Sequence, residues 1–337
     1  MLYNLARSAL FRLDAEHAHE LTLATFKNFP KLATAPFACK AATAPVELMG
    51  LKFPNRVGLA AGLDKNGECI EAWSRLGFGF VEVGTVTPRP QPGNPKPRMF
   101  RLPQHQAIIN RLGFNNKGVD YLLAQVARSD YRGILGINIG KNFDTPIEKA
   151  ADDYLICLRK AHAAASYITV NISSPNTKNL RDLQDEERLN DLLRQIQGER
   201  EKLAQAQGVR KPLLVKIAPD ISGEQIKHIA QAARQFGIDG LIATNTTVTR
   251  PQLEGETLAG QQGGLSGAPL RELANETLRK LRVAVGPDFA LIGVGGIVSG
   301  DDARIKRQAG ADLVQVYTGF IYRGPALIGE CASNLRD

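Results

Sequence analysis

Polar residues stand at or just after the ends of short apolar runs along this sequence. These residues are Asp64, Lys65, Thr85, Asn138, Asn171, Lys216, Thr244 and Asn245. Each one alone could be a helix N-cap or a turn residue. The collection instead predicts a functional site, because the reactive groups of parallel α/β barrels stand at the C-terminal ends of the strands.

Lys216 is the most informative of these residues, since it lies inside the apolar run 213–217. Burial of an ammonium group is costly unless an anionic partner compensates it. We therefore expect a negatively charged group beside Lys216.

Two glycine-containing segments lie at the ends of the last two apolar runs, at 293–297 and 317–319. They are either simple tight turns or a phosphate cradle, because glycine lets backbone N–H groups approach an anion closely. Together with Lys216, a cradle predicts flavin mononucleotide (FMN) rather than a dinucleotide. The ammonium group could stabilise the negative charge that reduction places on the pyrimidine side of a flavin.

The elements that must position these residues form a regular series from Arg56 onward. Eight apolar runs alternate with helical segments, and they are too hydrophobic to be strands with one face in water. The runs are 56–59, 80–83, 134–139, 167–171, 213–217, 240–244, 290–294 and 313–317. This pattern predicts a (β/α)₈ TIM barrel, with a structured excursion between Val83 and Ile134. A doubly wound sheet is the alternative, but no GxGxxG follows the first run.

The segment before the barrel predicts two amphipathic helices. Apolar residues follow helical spacing at Leu2, Leu5, Ala6, Ala9, Leu10 and Leu13. Asp14 is the expected N-cap of a second helix, which runs to about Phe29 and is ended by Pro30. This pair either packs its apolar face on the rest of the protein or forms a membrane-facing cap. Residues 46–53 predict a hairpin that closes the barrel floor.

Composition excludes several other classes of protein. The net charge of +8 comes from scattered lysines and arginines without a nucleic-acid-binding motif, so no nucleic-acid partner is expected. The cysteines form no CxxC pair and the histidines no HExxH, which predicts reduced thiols and no metal. The first residues lack the features of a secretory signal. No apolar run reaches the ~18 residues of a spanning helix, so any membrane contact is expected to be peripheral.

Six segments of this sequence resemble those of dihydroorotate dehydrogenases. They are AAGLDK at 60–65, NRLGFNN at 110–116, NISSPNT at 171–177, KIAPD at 216–220, TNTT at 244–247 and GVGGI at 293–297. They occur in the family's order and span nearly the whole chain. The resemblance implies oxidation of dihydroorotate to orotate in pyrimidine biosynthesis, with FMN taking the hydride.

The resemblance also implies roles for individual residues. Ser174 would be the general base that removes a proton from ring carbon 5. Because a serine hydroxyl is a weak base, we expect a water relay past Thr177 and Phe114 to accept its proton. The implied substrate contacts are Lys65, Asn110, Arg111, Leu112, Gly113, Phe114, Asn171, Asn176, Asn245 and Thr246. The implied flavin contacts are Ala61, Gly62, Leu63, Asp64, Lys65, Thr85, Asn138, Asn171, Lys216, Thr244, Gly267, Gly296, Tyr317 and Thr318.

Two features resemble the membrane-associated class of the family, which reduces quinone. The soluble class uses cysteine as its base and lacks the N-terminal helices, whereas serine stands at position 174 here. By this resemblance, residues 1–40 form a membrane and quinone-access segment and residues 41–337 form the FMN barrel. His19 and Arg101 would line the quinone path, and the protein would lie on the cytoplasmic side of the inner membrane.

The sequence leaves three alternatives open. One is a soluble-class FMN barrel oxidoreductase with another electron acceptor. Another is an FMN barrel that oxidises a hydroxy acid, although such an enzyme requires a histidine base and no histidine stands at a strand end. The third is a peripheral membrane protein without catalysis.

Overall fold

A computed structural model describes residues 2–38 and 43–336 of the chain. Its strands in chain order are β1 (Val46–Leu48), β2 (Leu51–Phe53), β3 (Val57–Leu59), β4 (Phe80–Val86), β5 (Met99–Leu102), β6 (Ala107–Asn110), β7 (Ile134–Ile139), β8 (Tyr167–Asn171), β9 (Leu213–Ile217), β10 (Gly240–Ala243), β11 (Gly264–Gly267), β12 (Ala290–Val294) and β13 (Leu313–Val316). Eight of these strands close into a parallel barrel in the order β3, β4, β7, β8, β9, β10, β12 and β13. The predicted TIM barrel is therefore confirmed, and the doubly wound sheet is excluded.

Helices alternate with the barrel strands and precede them at the N-terminus. In chain order they are α1 (Leu2–Leu10), α2 (Ala15–Asn28), α3 (Pro30–Thr34), α4 (Ile70–Ser74), α5 (Val119–Arg128), α6 (Ala150–Ala161), α7 (Glu186–Gln207), α8 (Gly223–Gln235), α9 (Arg271–Val285), α10 (Gly300–Gln308), α11 (Thr318–Arg323) and α12 (Ala326–Asn334). All residues of the eight barrel strands are buried. Burial on both faces explains why the sequence runs lack polar alternation.

The predicted strand bounds agree with the structure for β7, β8, β9 and β12. β3 begins one residue later than predicted, and β10 and β13 end one residue earlier. β4 extends to Val86 instead of ending at Val83, because Gly84 and Val86 continue to pair with β7 across a register shift. This extension carries the strand into the region of the site.

The two ends of the barrel are covered by different structures. At the floor, β1 and β2 form the predicted antiparallel hairpin, and Phe53 packs edge-to-face on Phe80 at a centroid distance of 5.2 Å. Above the barrel, the predicted excursion contains β5 and β6. These strands join β11, from a later part of the chain, in a three-stranded antiparallel sheet.

The N-terminal helices form as predicted. In α1, however, most of the apolar side does not pack on the rest of the protein, although such packing was one of the two expectations for it. Asp14 caps α2 by accepting from the backbone N–H groups of Glu16 and His17 at 3.0 Å. The predicted apolar stripe of α1 faces away from the barrel, with Leu2 54% and Leu5 66% exposed. Packing of the whole stripe on the rest of the protein is therefore wrong for α1, although Leu10 is partly buried.

The opposite side of α1 contacts the barrel through polar groups. Tyr3 Oη donates to the carbonyl of Ile321 at 2.6 Å, and Arg7 donates to that of Tyr322 at 2.6 Å. These bonds orient the helix and leave Leu2 and Leu5 in solvent. Pro30 ends α2, as predicted, and is also the first residue of α3.

Other expectations can be compared with the described parts of the chain. Within them, no helix has the length and apolar character to cross a membrane, and no cluster of three metal-binding side chains occurs. Cys69, Cys157 and Cys331 are buried free thiols, whereas Cys39 lies outside the described residues. The predicted boundary between residues 40 and 41 also lies outside them.

Candidate active site

A cavity opens at the carboxyl end of the barrel and brings together most of the predicted site residues. Those that line it are Ala61, Gly62, Lys65, Thr85, Asn110, Leu112, Gly113, Phe114, Asn171, Ser174, Asn176, Lys216, Thr244, Asn245, Thr246, Gly267, Gly296, Tyr317 and Thr318. They come from seven barrel strands or the loops that follow them and from the excursion above the barrel. The strands thus gather residues that are far apart in the sequence.

Four of the residues predicted to contact substrate or flavin lie outside the lining of this cavity. Leu63 lines a second cavity, and Arg111 lines a surface depression beside the first one. The Asp64 carboxylate accepts from the backbone of Glu68 and Cys69 at 3.0 and 2.8 Å, so its visible role is to shape the turn before α4. Asn138, the fourth, lies behind the wall.

Asn138 belongs to a group of three hydrogen-bonded polar side chains, of which Thr85 and Asn171 line the cavity. Thr85 Oγ1 donates to Asn138 Oδ1 at 2.6 Å. Asn171 Nδ2 donates to Thr85 Oγ1 at 3.0 Å and to Asn138 Oδ1 at 3.2 Å. Because all three side chains are buried and fixed by one another, they present a rigid polar wall to the cavity.

Lys216 projects from β9 into this cavity and is 5% exposed. Burial lowers the pKa of Lys216, and the negative charge of Glu82 opposes that shift. Glu82 lies on β4 and is fully buried. Its charge acts on Lys216, in agreement with the negative group expected near this lysine, although the sequence did not identify Glu82. A carboxylate in the apolar run that begins at Phe80 was the available signal.

Ser174 lies in the loop after β8 and is 5% exposed at the cavity. Its Oγ accepts from the backbone N–H of Asn176 at 3.2 Å. The Asn176 side chain donates to the backbone oxygen of Asn110 at 3.1 Å, which ties this loop to the excursion above the barrel. Behind the loop, Thr177 Oγ1 is buried and has no hydrogen-bond partner within the described residues.

Lys65 lies in the cavity wall on the side of the N-terminal helices. Burial, together with the nearby charge of Arg98, lowers the pKa of Lys65 to about 8. The carboxylates of Glu16 and Asp64 act in the opposite direction. Lys65 is therefore a cation at neutral pH that can lose its proton in the mildly alkaline range.

The glycine turns after β12 and β13 form another part of the wall. Gly295, Gly296 and Gly319 all line the cavity. Gly296 has a φ of +78°, and a Cβ atom there would lie 2.3 Å from the Cα of Arg271. The turn therefore requires glycine, and its backbone borders the cavity without intervening side chains.

A second cavity lies between the N-terminal helices and the barrel, and both His19 and Arg101 line it. Its other lining residues are mostly apolar, including Leu10, Phe11, Leu23, Phe26, Trp73 and Ile108. Burial lowers the pKa of His19 to about 3, and the charge of Lys65 contributes to that shift. His19 is therefore neutral, whereas the Arg101 guanidinium is held over the Phe11 ring at 4.6 Å.

Comparison with known proteins gives consistent matches over the full chain. A family model described as dihydroorotate dehydrogenase matches residues 43–337. The dihydroorotate dehydrogenase (quinone) of Aromatoleum aromaticum is 58% identical over 337 residues, which cover 100% of this chain and 96% of that protein. The protein of the same name from Chromobacterium violaceum is 59% identical over 333 residues, which cover 98% and 97%.

A solved structure is also similar to this chain. The crystal structure of DHODH from Eimeria tenella in complex with ferulenol superposes with a TM-score of 0.88 at 39% sequence identity. The match covers 96% of this chain and 90% of that one. From the family-model match, the full-length relatives and this shared fold, we conclude that the chain belongs to the dihydroorotate dehydrogenase family.

Proposed function

We propose that this protein oxidises dihydroorotate to orotate in pyrimidine biosynthesis, with FMN as the hydride acceptor and a membrane quinone as the final electron acceptor. The observation that carries the proposal is the position of Ser174 in one cavity with Lys65 and Lys216. Such a cavity offers a base for one proton, a cation for the substrate carboxylate and a cation for the reduced cofactor. The names of the relatives agree with this activity.

The residues of the cavity fit FMN. One wall carries the Lys216 ammonium and the fixed side chains of Thr85 and Asn171, which suit a polar ring edge. The glycine turns after β12 and β13, the seventh and eighth barrel strands, occupy the position where TIM barrels commonly bind phosphate. When bound, FMN would accept a hydride from the substrate and later release electrons to quinone. Lys216 would stabilise the negative charge of the reduced ring.

Lys65 and the amides near the catalytic loop would hold the substrate. The Lys65 ammonium suits a carboxylate, and amide side chains offer both donors and acceptors to a pyrimidine edge. Thr246 Oγ1 is buried and unpartnered within the described chain, so it is available to a ligand at this cavity. Asn110 and Asn176 are already bonded to each other at 3.3 Å, which orients both side chains.

Ser174 would remove the proton from ring carbon 5 while the hydride leaves carbon 6. A serine hydroxyl is a weak base, so its own proton requires an acceptor. Thr177 supports the water relay expected from the sequence, because its buried hydroxyl lacks a partner in the described parts of the protein. Phe114 lines the cavity and would limit access of bulk water to that relay.

The second cavity would be the path of the quinone, with His19 and Arg101 along it. Its apolar lining suits a lipid-soluble ring, and Leu63 contributes to that lining directly before the Asp64 turn. Outside it, Leu2, Leu5, Phe29 and Leu32 are exposed. Exposed apolar groups on short amphipathic helices suit shallow insertion into a membrane surface. Residues 1–40 would thus be the membrane segment, on the cytoplasmic side, and residues 41–337 the catalytic barrel.

Anaerobic spectroscopy of the purified protein tests the proposed reaction. The protein should be yellow, be bleached by dihydroorotate, and regain its colour with quinone but not with fumarate or a nicotinamide. Ser174→Ala should retain FMN but bleach about 10²- to 10⁴-fold more slowly, the usual contribution of a general base. Ser166→Ala, at the opposite end of β8, is the matched control and should bleach normally. A colourless protein would refute the flavin assignment, and normal single-turnover bleaching of Ser174→Ala would remove this serine from the mechanism.

A further inference from the structure

Glu82 is a fully buried carboxylate that the proposed reaction does not use. It lies on β4 in the barrel interior, below the cavity wall. Its Oε1 accepts from Asn138 Nδ2 at 2.8 Å. Its Oε2 accepts from Tyr167 Oη at 2.9 Å and from Gln315 Nε2 at 2.8 Å. Three other barrel strands therefore donate to one carboxylate.

The direction of these bonds follows from the chemistry of Glu82. Its two oxygens are approached by donors from Asn138, Tyr167 and Gln315, so this group acts only as an acceptor here. An amide, in contrast, can point either its oxygen or its nitrogen at a neighbour. Asn138 must therefore turn its nitrogen towards Glu82 and its oxygen towards the cavity wall. That oxygen accepts from both Thr85 and Asn171.

The same direction continues towards the proposed substrate site. Asn171 Nδ2 is committed to donation, so its Oδ1 is left to accept from Ser173 Oγ at 2.8 Å. The Ser173 hydroxyl then accepts from Asn245 Nδ2 at 2.9 Å. Every bond from Asn245 through Ser173, Asn171 and Asn138 donates towards Glu82. These hydrogen bonds join the proposed flavin contacts Asn138 and Asn171 to the proposed substrate contact Asn245. Glu82 is the acceptor at their end.

We propose that Glu82 is a positioning residue. Its carboxylate acts only as an acceptor and thereby sets the orientation of every amide side chain in this series of hydrogen bonds. In this way it couples the cofactor site to the substrate site. The inference rests on the proposed function, since it assigns a role towards FMN and the substrate. Glutamine at position 82 has the same shape but carries an N–H group. That group would face at least one of the three donors. Either Asn138, with the amides that depend on it, or Gln315, which also lines the cavity, would then have to reverse.

The test compares binding constants of folded protein, measured by reconstitution with FMN and by the effect of orotate on the flavin spectrum. Glu82→Gln should weaken FMN and orotate binding by about tenfold each, the effect of leaving one buried polar group unsatisfied or misdirected. Tyr167→Phe is the matched control, because it removes one donor but leaves the carboxylate and Asn138 in place. It should change both constants by less than about threefold.

A second variant removes a link in the middle of this series of hydrogen bonds. It tests the coupling even if Glu82→Gln fails to fold. Ser173→Ala removes the link between Asn171 and Asn245. It should weaken orotate binding by about tenfold while FMN binding changes by less than about threefold. In a double-mutant cycle, Asn138→Ala should abolish the effect of Glu82→Gln on FMN binding, because Glu82 acts through Asn138.

Two results would overturn the inference: unchanged binding constants in Glu82→Gln, or unchanged orotate binding in Ser173→Ala. A purely structural role of Glu82 would give effects that add to those of Asn138→Ala. Failure of the proposed function is distinguishable, since wild-type protein would then not take up FMN or respond to orotate at all.

Discussion

The charge of Lys65 gives a quantitative prediction about substrate binding. Burial and the charge of Arg98 lower the pKa of Lys65 to about 8 in the protein without substrate. A carboxylate ligand binds the protonated form, because only that form provides an ammonium group. Binding of orotate should therefore weaken as the pH rises through the pKa of Lys65.

The size of the effect follows from the protonated fraction. With a pKa of about 8, Lys65 is about nine-tenths protonated at about pH 7 and about one-tenth protonated at about pH 9. The dissociation constant of orotate should rise about tenfold over this range, which corresponds to about 1.4 kcal/mol. Lys65→Ala should lose about 1.5 to 3 kcal/mol of binding free energy at about pH 7, the value of a hydrogen bond to a charged group.

The assay is a titration of the oxidised protein with orotate, followed through the flavin spectrum at several pH values. Orotate binding avoids the proton transfer at Ser174, which has a pH dependence of its own. Lys178→Ala is the matched control. Lys178 is exposed on the surface beside the loop that carries Ser174, so its loss removes one positive charge without removing a group that lines the cavity. An orotate dissociation constant that stays level to about pH 9, or one that varies equally in Lys65→Ala, would refute this reasoning.

Two further predictions concern stability and the N-terminal segment. Burial lowers the pKa of Lys306 to about 7, and its Nζ has no hydrogen-bond partner within the described chain. The unfolded state therefore binds more protons than the folded state between about pH 7 and pH 10.5. Lys306→Met should therefore raise the free energy of unfolding by about 4 kcal/mol at about pH 7, and this gain should disappear towards about pH 10.5. Urea unfolding of the variant and the wild-type protein, with equal FMN, measures this difference. A gain that does not change with pH would contradict the prediction. A variant that lacks residues 1–40 should still be bleached by dihydroorotate but fail to reduce quinone, whereas efficient quinone reduction would contradict the role given to this segment.

The barrel was predictable from the sequence because its strands are buried on both faces. A run such as 213–217 has no solvent-facing side, so hydrophobicity alone marks the strand. The orientation of α1 was not predictable in the same way. Helical periodicity shows which side is apolar, but Tyr3 and Arg7 decide which side meets the barrel. Their partners are carbonyl groups near the end of the chain, and no local pattern reveals them.

The site shows the same division between local and distant information. The sequence required a negative charge near Lys216, since an ammonium group in an apolar strand is otherwise too costly. Its identity as Glu82 depends on closure of the barrel, which places β4 and β9 around one interior. The direction of the amide network likewise depends on four strands at once. Motif matching finds the residues that line the cavity but not the carboxylate that orders them.

The N-terminal helices also reach the catalytic loop through buried polar groups. Glu16 on α2 pairs with Arg98 at 2.7 Å, and both side chains are almost fully buried. Arg98 donates to the carbonyl of Asn94 at 2.7 Å, and Asn94 Nδ2 donates to the carbonyl of Asn176 at 3.2 Å. The charges of Glu16 and Arg98 also act on Lys65. Glu16, a residue of the proposed membrane segment, therefore contributes to the position of the loop that carries Ser174 and to the pKa of Lys65. The charges of the segment and of the barrel are thus coupled.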